Sequence, residues 1–155
     1  IAAEHLLKRG FTDLVMIDYL NSSSRHFLDG VREVLKPFGY KVKTYKYNRL
    51  SADNLNAWGT QIEKFEEWVK DWSFPIGVVS STSLVAISTL CQSNGIRIPE
   101  DMAVIVGDLE EGFCDAIEPQ ITSVDSDYHQ LGFEAARMLH QLFEGRLKNT
   151  HKYIS

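Results

Sequence analysis

The stretch "IGVVSSTSLVAISTLCQSNGIRIPEDMAVIVGD", residues 76–108, decides the fold. Its first apolar run closes on Ser80, and its second runs from Met102 and stops at Asp108. Both runs are continuous rather than alternating, the pattern of strands buried on both faces. Between them, "SLVAISTLCQSNG" has helical spacing and ends on Gly95, a C-terminal cap. Two strands joined by a helix form a parallel crossover, because a tight hairpin joins only antiparallel strands.

Outward from this unit the alternation continues. "AAEHLLKRGF" (2–11) reads as a helix with Ala2, Leu6 and Leu7 on one face, a cationic last turn and Gly10 as cap. It feeds "TDLVMID" (12–18), a strand closing on Asp18. "SSSRHFLDGVREVLKPFG" (22–39) offers serine N-caps, apolar Phe27, Val31, Val34 and Leu35, and a Pro-Phe-Gly exit. "YKVKTYKY" (40–47) interleaves its apolar positions with lysines, which suits an edge strand. "SADNLNAWGTQIEKFEEWVKDW" (51–72) returns to helical spacing through Leu55, Ile62, Phe65, Trp68 and Val69, and "ITSVDSD" (121–127) leads into a last helix, "YHQLGFEAARMLHQLFEG" (128–145). The expected fold is α/β, a doubly wound parallel sheet covered on both faces. In such folds ligands bind beyond the carboxyl ends of the strands. The ends to inspect are Asp18, Ser80 to Ser83, Asp108, and Asp125 to Asp127.

With 155 residues the chain is long enough for a domain with a core. A hydrophobic share of 44% and a charged share of 24% are ordinary for a globular protein. A net charge of -5 argues against this segment gripping nucleic acid itself, since phosphate binding needs clustered Lys and Arg. Cys91 and Cys114 have no short-spaced partners, so neither a zinc site nor a disulfide framework is expected. No apolar run approaches the roughly 20 residues of a membrane span. The chain opens without Met, inside a helical pattern, and is expected to be the back part of a longer protein. One candidate boundary lies near Pro119.

Asp108 has two readings. A carboxylate at the end of a buried strand needs hydrogen bonds, which sugar hydroxyls supply; it is also a good N-cap for "LEEGF", and periodicity alone favours the cap. Thr82 and Ser83 place hydroxyls at another strand end, where they serve a polyol or cap the next helix equally well. Arg25 offers two donors to a sugar or acid, against the commoner outcome of an exposed arginine in a first helical turn. His26 is a ligand candidate only as an isolated His. Phe27, Tyr19 and Phe113 could stack on a sugar face, against ordinary core packing. Glu110 and Glu111 are adjacent and read as a solvated loop rather than a catalytic pair. No G-x-S-x-G, G-x-x-x-x-G-K-[ST], G-x-G-x-x-G or H-E-x-x-H motif occurs, so no enzyme, cofactor or metal is expected.

The order of motifs resembles the effector-binding domain of the LacI/GalR family of bacterial transcription regulators. The resemblance covers nearly the whole chain. It is carried by G-I-x-I-P-E-D-M-A-V-I at 95–105 and by I-T-S-V with L-G-F-E-A-A-R-M-L between 121 and 139. "WGTQIEKFEEWVKDWSFPIGVVSST" and "EEGFCDAIEPQITSVD" are most similar to the xylose-operon subgroup. The resemblance implies a periplasmic-binding-protein-like type I fold. Residues 1–125 would form the C-terminal lobe, and 126–155 would cross back to an N-terminal lobe mostly absent from the chain. It implies a cytoplasmic homodimer that takes a sugar-like effector between its lobes and meets DNA only through a domain outside this chain. An exported sugar-binding receptor of a transporter shares the fold and is the alternative.

Carried over by position, Asp108 matches the aspartate closing the family's V-I-G-x-D strand, although this chain reads V-I-V-G-D. Thr82 and Ser83 stand where the family has Asn-Asp, and Ser126 where many members have Gln. Phe27 holds the place of the arginine in R-x-x-G-F, with Arg25 two residues earlier. The ligand-contact set implied is Asp108, Thr82, Ser83, Arg25, Phe27 and Ser126. Its departures leave open an altered ligand, or a lobe that has lost sensing.

Overall fold

A computed structural model describes residues 1–18, 22–46, 56–80, 84–107 and 121–146. In chain order it contains α1 (Ala2–Lys8), β1 (Leu14–Asp18), α2 (Ser22–Leu35), a 3-10 turn (Lys36–Phe38) and β2 (Val42–Lys46). These are followed by α3 (Asn56–Val69), β3 (Ile76–Ser80), α4 (Leu84–Ser93), β4 (Met102–Gly107), β5 (Thr122–Val124) and α5 (Tyr128–Phe143). The sheet order is β2-β1-β3-β4-β5, and every pairing is parallel. This is the doubly wound fold expected from the alternation of apolar runs and helices.

The central strands are apolar throughout because both faces are covered. All five residues of β1 and of β3 are buried. On one face Val15, Ile17, Val78 and Val104 meet Phe65 of α3 and Ile87 and Leu90 of α4. On the other, Leu14, Val79 and Ile105 meet Ala3 and Leu6 of α1 and Val31 and Leu35 of α2. Close approach of α1 to β3 explains Gly77. A Cβ there would stand 2.5 Å from Leu14 Cδ2 and 3.1 Å from Leu6 Cδ1, so any side chain would have to displace both leucines.

β2 is the edge strand that its lysines indicated, with only Val42 and Tyr45 partly buried. Tyr45 anchors that edge against Trp68 and Trp72, at centroid distances of 5.0 and 5.8 Å. Helix α1 ends as the sequence indicated, with Gly10 in the left-handed region at φ 91.

The chain divides into two compact units, Ile1–Asp125 and Ser126–Ser155. In the second, Asp127 caps α5 by accepting from the Gln130 amide at 2.9 Å, at a left-handed φ of 45. On α5 the apolar residues Leu131, Phe133, Leu139 and Leu142 are 45–58% exposed. No described helix is long and apolar enough to cross a membrane.

Candidate functional site at the carboxyl edge of the sheet

In the order β2-β1-β3-β4-β5 the winding reverses between β1 and β3: α2 leaves β1 to cover one face, and α4 leaves β3 to cover the other. In folds of this kind ligands bind at such a reversal, outside the carboxyl ends of the strands. Asp18 ends β1, Ser80 ends β3, and Ile17 and Ser80 are Cα partners.

Polar burial concentrates at this edge. Among the described residues of the first unit, the buried polar side chains are Asp18, Gln61, Ser80 and Ser88. Asp18 and Ser80 are fully buried strand ends. The Ser80 hydroxyl donates to the Ile17 carbonyl at 2.8 Å. Ser88 lies one turn into α4, a helix that begins four residues after Ser80.

Gln61 reaches the same level by a different route. Lys43, near the start of β2, donates to the Asp71 carbonyl at 3.0 Å, so the carboxyl end of α3 lies at the amino edge of the sheet. Helix α3 therefore runs against the strands. Ten residues of mostly helical rise separate Gln61 from Asp71, roughly 15 Å, and a five-residue strand spans roughly 16 Å. Gln61 thus stands level with the strand ends. It is 2% exposed, and its Oε1 has no hydrogen-bond partner. The other such atom among the described residues, Trp72 Nε1, lies in a ring cluster past the far end of α3, with Phe65 at 5.6 Å and Phe74 at 6.5 Å.

The amino edge has the opposite character. Met102 and Ile76 begin their strands at 0% and 2% exposure. The turn before β4 is held by Asp101, which accepts from Arg97 Nε at 2.8 Å, Nη2 at 2.6 Å and the backbone amide at 2.9 Å. Those bonds, from the guanidinium first and the amide second, hold the Asp101 carboxyl down at about 2. A cleft of about 470 Å³ beside α1 and the start of β4 includes His5, Arg9 and Glu100. Burial, then Arg9 and Lys8, lower the His5 pKa, so its imidazole is neutral at pH 7. On the α4 face, burial pushes the Cys91 thiol up to about 12, which makes it an inert core residue.

Of the residues read from the sequence as ligand contacts, Asp108, Thr82 and Ser83 lie outside the described residues, as do Tyr19, Glu110, Glu111, Phe113 and Cys114. Phe27 is half-buried on α2, and its Cζ would stand 3.8 Å from a Cβ on Gly107. That packs its ring against the carboxyl end of β4, one residue before Asp108. Arg25 is exposed in the first turn of α2, and His26 is exposed beside a crevice of about 210 Å³ that also includes Phe27. Ser126 is exposed at the start of the second unit. Among the described residues no cluster of His, Cys, Asp or Glu is arranged to hold a metal.

Three of the buried polar residues were within reach of the sequence. Asp18 and Ser80 end apolar runs, and Gln61 precedes Phe65 by four positions, which places it on the inner face of the helix. Ser88 carried no signal apart from its helical phase.

Residues 3–154 match the family model described as a periplasmic binding protein-like domain. The xylose operon regulatory protein of Haemophilus influenzae is 24% identical over 152 residues, 94% of this chain and 38% of that protein. Among solved structures, a xylose-binding transcription activator superposes with a TM-score of 0.76 at 20% identity, over 97% of this chain and 40% of that one. A periplasmic binding protein/LacI transcriptional regulator from Alkaliphilus metalliredigens, complexed with D-xylulofuranose, gives 0.75 at 13%, over 99% and 56%. The chain thus spans about half or less of the length of these relatives.

Proposed function

The chain belongs to the periplasmic binding protein-like domain family, and from that premise we propose that it is the ligand-sensing part of a bacterial transcription regulator. Its effector is a small polyol, with sugars of the pentose class first. The observation that carries this reading is the gathering of buried polar side chains at the switch-point edge, Asp18, Ser80, Gln61 and Ser88, above a core that is otherwise apolar. Hydroxyl-rich ligands match such an edge because each hydroxyl both donates and accepts. That two of the relatives above are named for xylose regulation or xylose-binding transcription activation supports a sugar, and a regulator over an exported receptor.

In this reading residues 1–125 are the C-terminal lobe, and 126–155 cross back to an N-terminal lobe that supplies the other wall of the site. Asp108, Thr82, Ser83 and Ser126 contact the ligand from the loops, Arg25 assists, and Phe27 supports the base of Asp108. The protein acts as a cytoplasmic homodimer without catalysis. Its DNA contact is made by a separate domain, shifted by preferential effector binding to one arrangement of the lobes, with a coupling of roughly 1–3 kcal/mol.

Calorimetric titration of the full-length protein with D-xylose, other pentoses, hexoses and nucleosides tests this. Binding of one class with a matching change in operator affinity is expected. A full-length protein that binds no member of the panel overturns it.

A further inference from the structure

Gln61 is not among the positions that the family pattern marks for ligand, and its burial poses a separate problem. A buried carbonyl oxygen without a donor is costly relative to one that is paired, and an apolar residue could fill that position instead. Phe65, one turn along the same face, is 1% exposed within the core, and Ile62 packs against it. The amide therefore adds nothing to core packing that an aliphatic side chain would not supply.

Its level along α3, that of the strand ends, is where the buried polar residues gather. A carbonyl acceptor there complements the neighbouring groups. We propose that Gln61 is a specificity-determining residue of the effector site: its Oε1 accepts the proton of one ligand hydroxyl, which enters the sheet edge on the α3–α4 face. This rests on the sugar-sensing reading above and adds to it. The site discriminates by this buried acceptor: a ligand with the matching hydroxyl pairs the orphaned oxygen, and an analogue that lacks it gains nothing there.

The test uses the full-length protein, D-xylose with its single-deoxy analogues, and the variant Gln61→Met, which keeps length and removes the amide. Gln61→Met is expected to unfold at the same or higher denaturant concentration than the wild type. It should bind D-xylose about ten- to a hundredfold more weakly. One deoxy sugar should bind wild type and variant with nearly equal affinity, which marks the hydroxyl concerned. Should Gln61→Met not fold, Gln61→Ala carries the same comparison. Equal D-xylose affinity in wild type and variant overturns the assignment and leaves the sugar-sensing reading standing. Binding of no sugar by the wild type overturns both.

Discussion

At the amino edge of the sheet, strands begin on Ile76 and Met102 and the turn before β4 is clamped by an exposed ion pair, Arg97 with Asp101. At the carboxyl edge, strands end on Asp18 and Ser80, flanked by Gln61 and Ser88 on the two helices of one face. Both edges are buried, yet apart from Trp72 Nε1 the amino edge hides carbon, whereas the carboxyl edge hides polar side chains. Burial of apolar surface is favourable without further conditions, whereas burial of a polar group requires a partner. The amino edge is therefore where the fold gains stability. In the proposed reading, the carboxyl edge gives up part of that gain for groups that meet a ligand.

The sharpest way to break this contrast is at Met102, fully buried at the amino edge. Met102→Ala should cost about 2–5 kcal/mol in urea denaturation, with little effect on ligand affinity in whatever still folds. Next comes Gly77→Val, which drives a branched side chain into Leu14 and Leu6 and should cost about 1–3 kcal/mol or more by the same assay. An unchanged midpoint would mean that α1 does not lie on β3. Ser80→Ala, at the opposite edge, should cost only about 0.5–1.5 kcal/mol, the value of one buried hydrogen bond, while weakening effector binding in calorimetry. If its stability cost equalled that of Met102→Ala, the two edges would not differ in kind.

The smallest effect concerns the clamp. The folded Asp101 carboxyl, at about 2, lies below its ordinary 3.8, so its contribution is complete above pH 4–5 and is lost as pH falls through 2. Asp101→Asn should flatten the acid limb of the stability curve between pH 4 and 2 and leave pH 7 nearly unchanged, because the pair is exposed and screened. A steeper acid limb in the variant would contradict the assignment.

Much of the layout could be read along the chain. The run at 76–108 announced a parallel crossover because two continuous apolar strands flank a helix with a glycine cap, and the lysines of 40–47 announced an edge. The site was less legible. Asp18 and Ser80 are visible as polar residues closing apolar runs, but a strand end does not reveal which neighbour stands beside it. That depends on the sheet order, which brings β1 against β3 although about 60 residues separate them.

Gln61 shows where such reading stops. Its helical phase says that it faces inward, but only the direction of α3 against the strands, set by the Lys43 to Asp71 contact, puts it at the carboxyl edge. The sequence by itself determined the elements and their apolar faces, because spacing of side chains along one strand or helix is a local property. The tertiary structure decided which ends meet, and hence where the polar residues gather, because that follows from strand order and helix direction, which are properties of the whole sheet.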